Sequence, residues 1–196
     1  MYIYKYIYIY IYTGQVWSFP PKGGSRAMIG THPCYRADKD LVIPVFAAQD
    51  KWSASPWLTN PWMRAALGGK TDVSDVSAPA ERRSTLAYFS GNLAHSEPIK
   101  YARGIRHRLW KAFHATTGWK LVGNAGYRYS ADLRGSQFCL VPPGGDGWSS
   151  RVDDAVRHGC IPVILIDNVH LPFESLLNYT AFALRVPEAQ VERLIT

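Results

Sequence analysis

The segment 138–173 constrains the fold of this 196-residue chain more than any other part of the sequence. A short apolar run at 138–141 ends at two prolines, which predicts a buried strand that stops where the backbone loses its hydrogen-bond donors. A glycine-rich turn at 144–147 follows, and then a helical spacing of apolar residues. The run 160–166 is apolar on both faces, as expected of a central strand in a parallel sheet. The order strand, turn, helix, strand predicts a βαβ unit.

The start of the predicted helix is a candidate phosphate site. Ser149 and Ser150 are candidate N-caps, and the first-turn N–H groups of a helix carry partial positive charge that favours anions. Arg151 is unfavourable for the helix dipole but could bind a phosphate through two parallel hydrogen bonds. Gly144 and Gly145 belong to the flexible turn before it. Their spacing matches neither a dinucleotide-binding loop nor a Walker loop, so these residues alone are equally compatible with a solvated arginine on an ordinary βα loop.

The second strand of the unit ends in polar residues. Asp167 and Asn168 follow the apolar run directly, and His170 lies just beyond. In open parallel sheets, ligands bind beyond the carboxyl ends of the strands, where both this loop and the glycine-rich turn are expected. Among the histidines of the sequence, His170 is therefore the candidate for a catalytic role.

Strand and helix patterns alternate from Glu81 onward. Strands are predicted at 85–89, 119–122 and 181–186, and helices at 101–116, 127–134, near 173–177 and from 187. This alternation predicts an α/β domain with a Rossmann-like, doubly wound parallel sheet and right-handed crossovers. Cys139 and Cys160 occupy strand positions, where free buried thiols are favoured over a disulfide, although a disulfide stays possible in an oxidising compartment.

The charge of the chain is concentrated in one span. Residues 81–134 contain ten Lys or Arg against three acids, and the rest of the chain contains twelve of each, so this span accounts for the whole net charge of +7. A basic span can bind nucleic acid. However, the basic residues of the predicted helix at 101–116 do not share one face, and no nucleic-acid-binding motif is present. An anionic nucleotide sugar, an acidic glycan or a solvated helix explains the same charge.

Three regions differ in composition. Residues 1–14 contain a strict Ile/Tyr alternation, which we interpret as an accidental translation of an adenine–thymine repeat, with a terminal strand as the alternative. Residues 15–80 form an irregular flank rich in Gly, Pro, Ser and Trp, with one predicted strand at 41–46, and residues 81–196 form the α/β domain. The N-terminal repeat is neither a signal peptide nor a membrane span. Asn178-Tyr179-Thr180 is a glycosylation sequon, a weak signal by itself.

Several segments together resemble a known family. The resemblance spans about residues 38–193 and is most specific in the last third. It rests on 40–44 (DLVIP), 83–91 (RSTLAYFSG), 103–113 (RGIRHRLWKAF), 136–151 (SQFCLVPPGGDGWSSR), 154–155 (DA), 159–163 (GCIPV) and 171–173 (LPF). In this order they closely resemble the exostosin-type glycosyltransferases.

The resemblance implies a GT-B architecture, in which two Rossmann-like domains form the enzyme and the C-terminal one binds the sugar nucleotide. It implies that Arg151 contacts the donor diphosphate and that Asp154 contacts the ribose or sugar, where the family more often has Glu. Pro143 stands where many members have a basic residue. The implied donor-binding residues are Gly144, Gly145, Ser149, Ser150, Arg151 and Asp154.

The resemblance also implies an activity and a location. The expected reaction moves a sugar from a nucleotide diphosphate donor, most often UDP-linked, to a glycan acceptor, with no cofactor and no divalent metal. No catalytic residue is assigned, because the base would come from the opposite domain, which this chain largely lacks. We expect the chain to be a fragment of a protein held at the lumenal side of the Golgi membrane by a segment absent here. The alternatives are an inactive nucleotide-binding remnant and a basic nucleic-acid-binding module.

Overall fold

The computed structural model describes residues 41–42, 83–93, 101–144 and 149–195. The Ile/Tyr repeat, most of the irregular flank and Gly145 lie outside these ranges, so the predictions made for them stay predictions. Leu41 and Val42, the described part of the strand predicted at 41–46, are not in a strand. The Val42 carbonyl instead accepts a hydrogen bond from the Phe173 N–H (2.8 Å), which ties this short segment to the domain.

The described residues form a five-stranded sheet with three α-helices. In chain order the elements are β1 (Thr85–Ser90), α1 (Ile105–Phe113), β2 (Trp119–Val122), α2 (Tyr129–Arg134), β3 (Ser136–Val141), α3 (Arg151–Arg157), β4 (Ile161–Ile164) and β5 (Leu184–Arg185). Four 3₁₀ helices accompany them, at Tyr101–Gly104, Gly126–Arg128, Tyr179–Ala181 and Glu188–Arg193.

All strand pairs are parallel, and the strand order is β2-β1-β3-β4-β5. The predicted Rossmann-like parallel sheet is thereby confirmed. In this order the chain runs outward from β1 in one direction and from β3 in the other. Doubly wound sheets bind ligands at such a switch point, beyond the carboxyl ends of the two central strands.

Alternate residues of the central strands bury opposite faces of the sheet. Phe89 and Leu140 pack in one cluster with Leu109 of α1 and with Val191. Tyr88 packs on the opposite face with Leu133 of α2, in a cluster that also holds Ala155 of α3. Because side chains alternate along a strand, helices cover both faces, and the strands read as continuous apolar runs.

Three predicted helices differ from the structure. The helix predicted at 101–116 begins at Ile105, because Ala102, Arg103 and Gly104 have positive φ and form a separate 3₁₀ turn. Residues 173–177 form hydrogen-bonded turns rather than a helix, and Phe173 itself has a positive φ of 57°. The segment after Pro187 is a 3₁₀ helix. At all three places the apolar spacing is compatible with a helix, but the local backbone is decided by tertiary contacts.

The prediction of free thiols at Cys139 and Cys160 was wrong, because these residues form a disulfide. Cys139 pairs with Pro162 across β3 and β4, and Cys160 lies just before β4. The two Cα atoms are therefore 5.8 Å apart, within the range that a disulfide spans. The spacing of the two cysteines in the sequence does not give the register of β3 against β4. The disulfide could therefore not be predicted without the structure of the sheet.

Within the described part of the chain, no helix is long and apolar enough to cross a membrane.

Candidate functional site

A cavity of about 680 Å³ opens at the carboxyl edge of the sheet. Its walls come from the end of β1, the loop after β2 and the first turns of α2 and α3. The lining residues are Ser90, Gly91, Gly123, Asn124, Ala125, Gly126, Tyr127, Tyr129, Ser130, Ser150, Arg151 and Asp154. Its volume lies within the range of small-molecule sites, and its position next to the switch point between β1 and β3 is where such sheets bind nucleotides.

Arg151 reaches from the start of α3 to the end of β1. Its Nε donates a hydrogen bond to the Ser90 carbonyl (2.8 Å), and its Cζ lies 5.0 Å from the centroid of the Phe89 ring. Neither contact uses a carboxylate, and within the described residues no acid forms an ion pair with Arg151. The side chain is half-buried and lines the cavity, so its remaining N–H groups are placed where an anionic ligand could reach them.

Gly91 leaves the room that the Arg151 side chain occupies. A Cβ built on Gly91 overlaps the Arg151 Nη2 atom and lies 3.0 Å from the Phe89 ring. We expect Gly91→Ala to displace the guanidinium and weaken UDP binding by roughly tenfold, the loss of about one charge-assisted hydrogen bond. Gly135→Ala is the control, since its Cβ would meet only two backbone oxygens, at 3.4 and 3.9 Å. Equal UDP affinities of the two variants in calorimetry would contradict this assignment.

Arg106, which the sequence did not single out as a site residue, is a second cation next to the site, outside the residues that line the cavity. It is 4% exposed, its Nε donates to the Pro143 carbonyl (2.9 Å), and its Cζ lies 5.4 Å from the same Phe89 ring. Burial, with help from the positive charge of Arg151, lowers the pKa of Arg106 to about 10. No described acid pairs with it. A signal was present, since Arg106, Leu109 and Phe113 are spaced as one buried helical face.

Asp154 and Tyr129 meet in the cavity. The Tyr129 hydroxyl donates to the Asp154 carboxylate (2.8 Å), and Asp154 is 4% exposed. Burial, reinforced by the negative charge of Asp154, raises the pKa of Tyr129, so the phenol stays a hydrogen-bond donor. Behind them, the buried His158 ring bonds the Asp154 carbonyl (2.6 Å) and the Ser130 hydroxyl (2.6 Å). This linkage holds α3 against α2.

The structure brings three of the six predicted donor-binding residues into the cavity. Ser150, Arg151 and Asp154 line it. Ser149 is buried outside the lining, and its hydroxyl has no hydrogen-bond partner among the described residues. Gly144 is half-buried and also outside the lining, and Gly145 is not described.

His170, the candidate catalytic histidine, does not line this cavity. Its Nδ1 lies 3.9 Å from the Glu174 carboxylate in the loop after β4. The same carboxylate accepts a hydrogen bond from the Leu171 N–H (2.8 Å). The structure therefore places His170 within the loop between β4 and β5, next to Glu174.

Asp153 lies half-buried in the first turn of α3, next to Asp154. Burial, and then the charge of Asp154, raises its pKa to about 7, and its Oδ2 has no partner in the described part of the chain. Between about pH 4 and pH 7 the Asp153 carboxyl is therefore protonated in the native state and ionised in the unfolded chain. The free energy of unfolding falls as the pH rises through this range, because the native state binds the extra proton.

We expect Asp153→Asn to remove the loss of stability that ionisation of Asp153 causes as the pH rises. The variant should exceed the wild type in free energy of unfolding by roughly 1–3 kcal/mol at pH 8 and by much less at pH 5. Urea denaturation at the two pH values measures the difference. A difference that is the same at both values would show that Asp153 ionises normally.

Many basic residues of the span 81–134 are neutralised by acids. Arg103 pairs with Glu188 (2.6 Å), Arg108 with Glu192 (2.5 Å), and Lys120 with Asp132 (2.7 Å). These pairs are spread over separate helices and strands. These ion pairs therefore neutralise part of the excess charge of this span.

Comparison with known proteins identifies the family of this chain. The model of the exostosin GT47 domain matches residues 28–196. The chain belongs to the exostosin GT47 family. The family resemblance predicted from the sequence is thereby confirmed, together with the fold class.

Curated proteins of similar sequence include several from plants. A "probable glucuronosyltransferase" of rice (Oryza sativa subsp. japonica) is 37% identical over 59% of this chain and 28% of its own length. Another protein of that description from rice is 34% identical over 83% of this chain and 35% of its own length. One from the moss Physcomitrium patens is 29% identical over 82% of this chain and 32% of its own length. The chain spans about a third of the length of these relatives.

Within the described residues, no group of three or more His, Cys, Asp or Glu side chains is arranged to hold a metal ion.

Proposed function

We propose that this chain is the donor-binding part of a glycosyltransferase. Its cavity binds a nucleotide diphosphate sugar, with UDP as the nucleotide. The observation that carries the proposal is the pair of guanidinium groups on Phe89. Arg106 and Arg151 both lie within 5.4 Å of the ring centroid, and no described acid pairs with either. Desolvated cations without a counterion are costly. An anionic ligand would supply that counterion.

Each cation then has a role in the reaction. Arg151 lines the cavity and would bind the diphosphate, while Arg106 holds the Pro143 carbonyl and adds positive charge behind the loop. During transfer the bond between the anomeric carbon and the diphosphate oxygen breaks, and negative charge develops on the leaving diphosphate. Fixed guanidinium groups stabilise this charge without reorganising. We propose that they do so without a divalent metal, so that a chelator leaves UDP affinity unchanged.

Asp154 would accept hydrogen bonds from the ribose or sugar hydroxyls, with Tyr129 holding its carboxylate in place. We expect Tyr129→Phe to weaken UDP binding about fivefold, the loss of one hydrogen bond of about 1 kcal/mol. Tyr127→Phe makes the same chemical change at a 96% exposed tyrosine on the cavity wall and should bind UDP as the wild type does. If both variants bind UDP equally well, Tyr129 has no part in donor binding.

The names of the relatives favour a glucuronosyl donor. Competition against bound UDP with UDP-glucuronate, UDP-glucose and UDP-galactose tests this choice, and we expect UDP-glucuronate to compete best. In the transfer step an acceptor hydroxyl attacks the anomeric carbon and gives its proton to a base. We propose that this base comes from the longer protein, opposite the cavity.

The disulfide supports a lumenal location. Cys139 and Cys160 are bonded, and disulfides persist in oxidising compartments such as the secretory lumen. We propose that the longer protein resides on the lumenal side of the Golgi membrane, attached by a segment outside this chain. Protease protection of the epitope-tagged longer protein in Golgi vesicles tests this location.

Calorimetry with UDP tests the proposed function directly. Binding by the wild type that is at least about tenfold weaker in Arg151→Ala supports the donor site, and absence of heat with the folded wild type overturns it. Sugar transfer by the longer protein separates an active transferase from an inactive remnant. Salt-dependent binding of random DNA, with no UDP binding, would instead favour the nucleic-acid-binding alternative.

A further inference from the structure

The sequence contains one Asn-X-Ser/Thr triplet, Asn178-Tyr179-Thr180, and its middle residue is not proline. Such a triplet is the acceptor motif for N-linked glycosylation. The donor site makes no use of it. We propose that Asn178 carries an N-linked oligosaccharide in the secretory lumen.

The folded structure accommodates an oligosaccharide on Asn178. Asn178 and Thr180 are both exposed, at the start of the 3₁₀ helix Tyr179–Ala181. The Asn178 Oδ1 accepts hydrogen bonds from the Thr180 backbone N–H (3.1 Å) and from the Thr180 hydroxyl (2.7 Å). Both hydrogen bonds are to the side-chain oxygen. The side-chain amide nitrogen has no hydrogen-bond partner among the described residues. That nitrogen is the atom to which the sugar is attached.

The triplet lies away from the donor cavity. Thr180 lines a groove with Gly159, Cys160 and Ile161, which stand at the amino end of β4. The cavity stands at the opposite, carboxyl edge of the parallel sheet. An oligosaccharide on Asn178 would therefore leave the donor site open.

The disulfide is an independent observation for the same compartment. The bond between Cys139 and Cys160 requires an oxidising environment, and N-linked oligosaccharides are added in the lumen that provides one. In the addition step a bond forms between the Asn178 Nδ2 and the anomeric carbon of an oligosaccharide carried on a lipid diphosphate. The bond from that carbon to the diphosphate oxygen breaks, the lipid diphosphate leaves, and the amide proton passes to base.

Cell-free translation of the full chain behind a cleavable secretion signal, with endoplasmic-reticulum microsomes, tests the proposal. Only protease-protected chains are analysed, so every chain scored has entered the lumen. We expect one slower band that endoglycosidase H converts to the unmodified mobility. Asn178→Gln and Thr180→Ala should abolish the slower band, and Thr180→Ser should retain it.

Addition takes place on the entering chain, so a variant that folds poorly still reports on the site. A protected wild-type chain without the slower band would overturn the proposal, as would a slower band that persists in Asn178→Gln. Neither result depends on UDP binding, so failure here is distinct from failure of the donor site.

Discussion

Arg151→Ala is expected to weaken UDP binding by roughly 10- to 150-fold, the equivalent of losing about 1.5–3 kcal/mol of hydrogen bonding to a charged group. The physical reason is that alanine removes both the charge and the forked donor set from the cavity wall. Arg151→Lys should recover only part of the affinity, because an ammonium group keeps the charge but not the paired donors. Isothermal titration calorimetry with UDP measures both changes.

Two controls separate a binding role of Arg151 from a structural one. Arg151 also bonds the Ser90 carbonyl and packs on Phe89, so thermal unfolding of each variant must be measured alongside affinity. Arg157→Ala removes the same charge from an exposed position near the other end of the same helix and should leave UDP affinity unchanged. Equal losses in Arg151→Ala and Arg157→Ala would mean that net charge, rather than this site, determines binding.

Reduction of the Cys139–Cys160 disulfide is expected to lower the free energy of unfolding by roughly 3 kcal/mol, the loop-entropy value for a crosslink of this span. The two cysteines are 21 residues apart, and the loop between them contains the glycine-rich turn and all of α3. Because Arg151 and Asp154 lie in that loop, the reduced protein should also bind UDP more weakly. Urea denaturation with and without reductant measures the stability change.

The double variant Cys139→Ala/Cys160→Ala is the control for this measurement. Its stability should match that of the reduced wild type and should not respond to reductant. A wild type that is equally stable in both redox states would show that the disulfide does not constrain the fold. A reductant effect that persists in the double variant would have another cause.

Sequence patterns predicted the strands better than the helices. The strand at 119–122 agrees with β2, and those predicted at 85–89 and 138–141 agree with β1 and β3 to within two residues. Buried parallel strands are apolar on both faces, so their sequence signal is strong and local. The helix predicted at 101–116 is broken at Gly104 by positive φ at three successive residues. Arg103 there contacts both Asp167 and Glu188, which are distant in sequence.

The candidate site was predicted in part. Arg151 and Asp154 could be placed on one helix next to a sheet edge from spacing alone, and the structure brings both into one cavity. The spacing of Arg106 with Leu109 and Phe113 indicates a buried helical face, but its contact with the Pro143 carbonyl, 37 residues away, depends on packing.

The βαβ order, the apolar strands and the motif of the exostosin GT47 family can all be read from neighbouring residues. These features are local, because hydrophobic periodicity and turn residues act over neighbouring positions. Strand adjacency is not local, and it sets both the Cys139–Cys160 bond and the packing of Arg106 and Arg151 on Phe89. Parallel strands are joined by crossovers rather than tight turns, so their register and neighbours are set by packing across the sheet.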